Sequence, residues 1–146
     1  MNCLPGVISA IEIGGSVALV DVSAAGQQLT ATMLDSSGQA HRWSIGMAVS
    51  LLFAETDVAL AKDLTGRLSM RNRIRATVQT IESGQILSKV ELDVGGNRLY
   101  SIITTRSAHA LALRVGDTVE ALVKANEMSV VPAGAVRSIL RPEADT

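Results

Sequence analysis

Short runs in which apolar and polar residues alternate recur along the chain and predict β-strands. The clearest is KVELDV at 89–94, where Val90, Leu92 and Val94 fall on one face and the charged residues between them fall on the other. The GGN that follows is typical of a tight turn. KVELDV and the next run, RLYSIIT at 98–104, are therefore predicted to form a β-hairpin.

Three more strands and one helix complete the predicted unit. RIRATVQTI precedes the hairpin, and TVEALVK and MSVVP follow it. Between them, RSAHALAL at 106–113 has the spacing and the Ala and Leu content of a short helix. Five strands with a helix before the last two, within about sixty residues, predict a small OB-like barrel.

The chain aligns with itself, without a gap, at a shift of 70 residues, which places Gly46 on Gly116. Three identical pairs are glycines at the ends of apolar runs, where the backbone needs a permissive residue. The sequence therefore predicts an all-β fold of two tandem five-stranded units, each with one short helix. The identical pairs are Asn2/Asn72, Ile11/Ile81, Glu12/Glu82, Gly14/Gly84, Val20/Val90, Gly26/Gly96, Leu29/Leu99, Ser37/Ser107, Ala40/Ala110, Gly46/Gly116, Val49/Val119 and Leu52/Leu122.

These units are expected at residues 1–64 and 65–134, with AKDLTGRLSM at 61–70 as the connector. Residues 135–146 end the chain with RSILRPEADT, which predicts a frayed polar tail.

Composition limits the classes of protein that fit. Of the 146 residues, 47% are hydrophobic but only 2% are aromatic, so the apolar content is mostly Ala, Val, Ile and Leu. This content suits small, tightly packed β-units, and it is high enough that another subunit is expected to cover part of it. A formal net charge of −1 lacks the electrostatic footprint of a nonspecific nucleic-acid binder.

Cysteine and histidine counts exclude further classes. One cysteine gives no disulfide framework, and two histidines do not build the usual zinc or iron sites. The first residues lack a signal-peptide pattern, and no apolar run reaches membrane-spanning length, so we expect a cytoplasmic protein without a membrane partner. The motifs of phosphate loops, dinucleotide sites and zinc proteases are missing, and this predicts a protein that is not an enzyme.

Groups that favour anions cluster where strands of the second unit end. Ser69, Arg71 and Asn72 precede its first strand, Thr104, Thr105 and Ser107 lie where the second hairpin strand meets the helix, and Lys124 closes EALVK. The helix start near Ser107 adds free N–H groups. Together these residues predict a cage for a small oxyanion, in which charged donors attract and hydroxyls and amides fix the shape.

These motifs resemble the molbindin family of Mop, or TOBE, domains. SMRN, then RATV, IITTRS and LRVGDTVEALVKA, follow the family pattern in order and spacing over roughly residues 67 to 133. The resemblance implies a cytoplasmic molybdate or tungstate binder built from OB-like barrels, with no organic cofactor. It also implies a trimer of tandem chains, in which Ser69 and Arg71 of one subunit meet Thr104, Ser107, Lys124 and Ala125 of a neighbour.

The first unit resembles the family less fully. NCLPGVISAIE and SIGMAVSLLF fit the pattern, but at the 70-residue shift Met1 replaces Arg71, Leu34 replaces Thr104 and Ala54 replaces Lys124. Only Asn2 and Ser37 remain of the polar set. Without the cations a buried dianion would carry an uncompensated desolvation cost, so this repeat is interpreted as a structural partner.

Simpler interpretations stay open at several residues. Arg71 and Lys124, taken singly, suit solvated surface charges, and Thr104 and Ser107 suit a helix cap. Asn2 and Asn72 suit a turn. His109 is expected to be exposed, and Trp43 to lie in the core or an interface. RNRIR lacks the aromatic residues that stack on bases, which disfavours a nucleic-acid partner.

Two functions remain in view. The first is intracellular storage of molybdate or tungstate at domain and subunit interfaces. The second is a regulatory or oligomerisation module that senses molybdate and acts through a protein partner.

Overall fold

The computed structural model describes residues 1–140 as two curled five-stranded sheets, which confirms the predicted all-β, OB-like tandem fold. The first sheet has the order β10-β4-β1-β2-β3 and the second β5-β9-β6-β7-β8. The strands are β1 (Asn2–Gly14), β2 (Val17–Ala24), β3 (Gln27–Leu34), β4 (Ala48–Phe53), β5 (Ala59–Ala61), β6 (Asn72–Ser83), β7 (Leu87–Val94), β8 (Asn97–Thr104), β9 (Thr118–Val123) and β10 (Ser129–Pro132).

The fifth strand of each repeat lies in the sheet of the other repeat. β5 pairs with β9, where Ala59 is opposite Leu122, and β10 pairs with β4, where Ser129 is opposite Leu52. The sequence repeat does not predict this exchange, because each repeat contains all five strand signals. The boundaries at 1–64 and 65–134 therefore do not coincide with the boundaries of the two sheets.

Matching β-bulges curl the two sheets. The register of β1 against β2 shifts between Ile8 and Ala10, and that of β6 against β7 shifts between Val78 and Thr80. A bulge bends its strand and increases its twist, so the first strand of each repeat can bond to two neighbours. Two of the three glycine pairs, Gly26/Gly96 and Gly46/Gly116, have positive φ values between 75° and 94°.

One hydrophobic core runs through both repeats. Val90, Leu92 and Val94 are buried, as the alternation in KVELDV predicts. Trp43 is partly buried against this core, and His109 is exposed, in agreement with the expectations for both residues. The largest fully buried side chains come from both halves and include Leu4, Ile8, Phe53, Ile74, Leu99 and Met128.

Two asparagines hold the repeats together in the same way. Asn2 donates to the carbonyl of Tyr100 at 2.8 Å and accepts from its N–H at 2.8 Å. Asn72 donates to the carbonyl of Thr30 at 2.9 Å and accepts from its N–H at 2.7 Å. At the 70-residue shift Asn2 corresponds to Asn72 and Thr30 corresponds to Tyr100. Because each repeat supplies the same asparagine to the same strand of the other, the repeats are arranged about a pseudo-twofold axis.

The short helix of the first repeat differs in type from that of the second. α1 (Thr105–Ala110) lies where RSAHALAL predicts it, but the first repeat has only a 3-10 helix, Gln39–Arg42, at the corresponding position. Gly38 precedes that turn with φ 72°, a backbone conformation that cannot continue a helix, whereas its counterpart Ala108 lies inside α1.

The first part of the predicted polar tail is helical. The 3-10 turn Ala133–Ala135 packs against β4 and leads into α2 (Val136–Leu140). The rest of that predicted tail, 141–146, lies outside the described residues. Within residues 1–140 no helix has the length and apolar character needed to cross a membrane.

Candidate functional site

The pairing of β6 with β9 brings two parts of the predicted cage together. Asn72, the first residue of β6, is opposite Val123, the last residue of β9. Arg71 precedes one strand end and Lys124 follows the other, so both cationic residues lie at the same edge of the sheet. Separated by more than fifty residues in sequence, they become neighbours because the strands are antiparallel.

A cavity of about 250 Å³ lies at this edge. Ser69, Arg71, Lys124 and Ala125 of the second repeat line it, and Thr32 reaches it from β3 of the first repeat. The Thr32 hydroxyl lies 3.4 Å from the carbonyl oxygen of Ala125, to which it donates. Met70 and Asn126 complete the lining. We call this space the Lys124 cavity.

The Lys124 cavity is lined by two cationic residues that form no ion pair within residues 1–140. Arg71 and Lys124 are exposed, and neither side chain makes a hydrogen bond or ion pair with any residue of the described chain. Charged donors next to hydroxyl groups suit a small tetrahedral oxyanion, since the cations supply attraction and the hydroxyls supply direction.

One acidic pair lies near the cavity. The pKa of Glu127 is raised above its usual value, chiefly by a hydrogen bond with the Asp57 side chain and then by desolvation and the Asp57 charge, while Lys124 acts in the opposite direction. Asp57 and Glu127 occupy equivalent positions in the two repeats, in the 3-10 turns Glu55–Asp57 and Ala125–Glu127. The acidic pair therefore forms where these two turns meet.

Asn72 does not contribute its side chain to the cavity. It is fully buried, and its amide bonds both backbone groups of Thr30 and approaches the sulfur of Met128 at 3.8 Å. The Asn72 side chain therefore links the two repeats and does not line the Lys124 cavity, and its assignment as an oxyanion ligand stays a prediction.

Thr104 and Ser107 lie apart from the Lys124 cavity. Thr104 caps α1, because its hydroxyl oxygen accepts from the Ser107 N–H at 3.0 Å, and its hydroxyl donates to Ser107 Oγ at 2.7 Å. Thr104 lines a separate space of about 190 Å³ with Gln85, Ile86 and Arg106. Within one chain the structure brings together Ser69, Arg71, Lys124 and Ala125, so no second subunit is required to join those four.

Thr105, which belongs to the same predicted group, is turned inward. Its hydroxyl donates to the carbonyl of Gly84 at 2.7 Å and lies 2.8 Å from Ser88 Oγ.

A larger groove, of about 550 Å³, lies between the repeats but suits an anion less well. Its Arg73 is bound twice by Glu120, at 2.6 and 2.7 Å, and Asp63 adds another acidic group. The paired hydrogen bonds raise the pKa of Arg73 and lower that of Glu120. Because its charges are largely compensated, we place the candidate site in the smaller cavity.

Sequence reasoning missed Thr32 and Asn126. Thr32 belongs to the first repeat and corresponds to Ile102 in the second, so the repeat alignment gives no signal for it. It reaches the cavity because β3 packs against the 3-10 turn Ala125–Glu127. Asn126 directly follows Val-Lys-Ala, and its polar side chain next to that motif is a signal that would have included it.

Two OB-like barrels with a cation-lined cavity where the repeats meet define a tandem-barrel protein suited to a small anionic ligand. Comparison with known proteins gives the family. The TOBE domain matches residues 1–60 and again residues 68–130, so the chain belongs to the TOBE-domain family and carries two copies of the domain.

The relatives support this assignment. The chain is 36% identical over 132 residues to the molybdenum transport protein ModE of Herbaspirillum seropedicae, covering 88% of this chain and 49% of ModE. It is 35% identical over 122 residues to the molybdenum-pterin-binding protein MopB of Rhodobacter capsulatus, covering 77% of this chain and 45% of MopB. It therefore spans about half the length of these curated relatives.

One solved structure matches nearly end to end. The cytoplasmic molybdate-binding protein ModG, crystallised with molybdate bound, has a TM-score of 0.83 and 31% identity, covering 88% of this chain and 94% of ModG.

Proposed function

We propose that the chain binds molybdate, with tungstate as a near-isostere, in the Lys124 cavity. The observation that carries the proposal is that Arg71 and Lys124, which form no ion pair within residues 1–140, line one cavity together with Ser69 and Thr32. A tetrahedral dianion there would gain two charge-assisted contacts at once. The molybdate bound in the ModG structure supports the choice of ligand.

Storage and homeostasis of the oxyanion in the cytoplasm is the role we propose for this binding. The described residues offer an anion cavity without a group of three His, Cys, Asp or Glu side chains arranged for a metal ion, and the proposal involves neither a catalytic step nor an organic cofactor. ModG, which is described as cytoplasmic, supports the location.

Assembly with further copies of the chain would complete the cage. Both repeats expose apolar side chains at equivalent positions: Val17 corresponds to Leu87 and Ile45 to Val115, with exposures from 43% to 72%. Covering these side chains is favourable. We propose that a homo-oligomer, a trimer by resemblance, covers them and brings Thr104 and Ser107 of one chain near the Lys124 cavity of another.

Equilibrium dialysis against molybdate tests the binding proposal. Wild type is expected to retain molybdate in excess over sulfate, and Lys124→Ala is expected to lose at least tenfold in affinity, the effect of about 1.4 kcal/mol. Arg114→Ala is the matched control, since it removes an exposed positive charge before β9, at the opposite end of that strand from Lys124. Equal uptake by wild type and Lys124→Ala, or no uptake by wild type, would overturn the proposal.

The number of ions bound per assembly bears on the role. A storage protein is expected to hold several ions per assembly. A module that only senses molybdate needs to bind only as many ions as are required to change its contact with a protein partner.

A further inference from the structure

The first repeat has its own version of the corner that forms the Lys124 cavity. The 3-10 turn Glu55–Asp57 packs against β8 as the turn Ala125–Glu127 packs against β3. At the 70-residue shift Ala54 corresponds to Lys124 and Glu55 corresponds to Ala125. The corner therefore lacks the lysine, and it carries a carboxylate where the second repeat has a methyl group.

A lysine on a strand of the second repeat holds Glu55 in this corner. Its Oε1 lies 3.6 Å from Nζ of Lys89 on β7, and the Glu55 side chain is only 20% exposed. The Lys89 ammonium also lies 4.6 Å above the centre of the Tyr100 ring. The Met1 nitrogen lies 3.3 Å from Oε2 of the same carboxylate. At the corner that forms the Lys124 cavity, the residue that corresponds to Lys89 is the uncharged Leu19.

We propose that the Glu55 carboxylate acts as an internal anion that fills the first repeat's counterpart of the Lys124 cavity and excludes an oxyanion from it. The inference rests on the proposed function for the identity of the anion, and it concerns a different corner of the molecule. Glu55 neutralises the cation that would attract a ligand, and its own charge repels a dianion. The loss of binding residues in repeat one is thus accompanied by a blocking group.

Removing the blocking charge should expose a second, weaker anion site built on Lys89. Glu55→Gln keeps the shape of the side chain and removes its charge, and Glu55→Ala copies the residue present at the equivalent position 125. Either substitution leaves Lys89 without its carboxylate partner.

The test measures molybdate uptake by equilibrium dialysis in the Lys124→Ala background, in which binding at the Lys124 cavity is weakened. Lys124→Ala alone is expected to bind molybdate at least tenfold more weakly than wild type, and the double variant Lys124→Ala/Glu55→Gln is expected to show an additional uptake of up to one ion per chain. Adding Lys89→Ala should abolish that uptake. Glu12→Gln, placed in the same background, is the control for net charge, because Glu12 is exposed on β1, and it should add no uptake.

The outcomes separate this inference from the proposed function. The inference is wrong if neither Glu55→Gln nor Glu55→Ala, each in the Lys124→Ala background, binds more molybdate than Lys124→Ala alone. This holds whatever wild type binds. If wild type and Lys124→Ala bind equally, the proposed function fails, and the comparison of the double variant with Lys124→Ala still decides the role of Glu55. Thermal unfolding of each variant checks that it is folded before uptake is compared.

Discussion

The side-chain amide of Asn72 makes both backbone hydrogen bonds of Thr30, at 2.7 and 2.9 Å, although the two residues belong to different repeats. The amide group thus supplies the acceptor and the donor that a neighbouring strand would offer to Thr30, a partly buried residue of β3. Asn2 does the same for Tyr100. Each asparagine stands at the start of its repeat's first strand, so the ends of the two sheets are fixed against each other at two symmetrical points.

Replacing Asn72 by alanine should therefore destabilise the whole molecule. The substitution leaves the N–H and carbonyl of Thr30 without these partners, at a combined cost of about 2–4 kcal/mol. Urea unfolding followed by circular dichroism measures the change. Gln79→Ala, at an exposed position on β6, is the control and is expected to stay within about 0.5 kcal/mol of wild type. Unfolding curves that coincide for Asn72→Ala and wild type would contradict the link.

The exchange of fifth strands predicts that both repeats unfold together. β10, from the second repeat, is an edge strand of the first sheet, and β5, from the first repeat, is an edge strand of the second sheet. Unfolding of either repeat would therefore remove an edge strand from the sheet of the other. Trp43 reports on the first repeat and Tyr100 on the second, and the chain has one residue of each type.

Trp43 fluorescence and hydrogen exchange of the amides in β6 to β8 should therefore give one common free energy of unfolding. A first transition at Trp43, with β6 to β8 still protected, would show that the two sheets are independent.

The sequence predicts the strands well because the relevant signals are local. Alternation marks β7, the GGN turn marks the hairpin, and the 70-residue shift extends the assignment to the first repeat. The exchange of β5 and β10 is invisible in this pattern, because the same strand buries the same face in either sheet. Only the connector path and the inter-repeat packing decide which sheet receives it.

The candidate site was predictable only in part, for the same reason. Ser69, Arg71, Lys124 and Ala125 are found by motif, and the antiparallel pairing of β6 with β9 explains why they meet. Thr32 needed the packing between repeats, which no local signal encodes. Asn72 was assigned to the ligand because it lies inside the motif, although burial and hydrogen bonding give it to the repeat interface.

Acid should weaken the attachment of the connector to the second repeat. Lys62 donates to Asp117 at 3.0 Å and to the carbonyls of Leu111 and Ala112. The pKa of Asp117 is lowered from 3.8, chiefly by the Lys62 hydrogen bond and then by the backbone N–H of Arg114. A lowered folded-state pKa gives stability that is present above the unfolded value and is lost as the pH falls through the folded value.

The difference in urea midpoint between wild type and Asp117→Asn should thus be largest near neutral pH and shrink below about pH 4. Lys62→Met should show the same narrowing, because it removes the other partner. A difference that stays constant from pH 7 to pH 3 would rule out this source of acid sensitivity.

Glu127 should reduce oxyanion affinity at neutral pH. Its charge lies near enough to Lys124 for each to affect the other, and its pKa is raised above 4.5, first by the Asp57 hydrogen bond and then by desolvation. The folded protein therefore takes up this proton at a higher pH than the unfolded chain does, and the stability gained is lost as the pH rises through the raised value. As the pH falls through the raised pKa of Glu127, neutralisation of this carboxylate should strengthen binding of an anion in the Lys124 cavity.

Glu127→Gln removes the negative charge at every pH. At low ionic strength its affinity for tungstate or molybdate at pH 7 should exceed that of wild type on the order of threefold, and the gain in affinity on acidification should disappear. Titration calorimetry at pH 7 and at a series of lower pH values measures both effects, with Glu82→Gln, at an exposed position on β6, as the charge-matched control. Only a group close to Lys124 can act selectively on an anion bound there. An unchanged pH dependence of the affinity in Glu127→Gln, or an equal gain in affinity in Glu82→Gln, would therefore show that the Glu127 carboxylate does not act on the cavity.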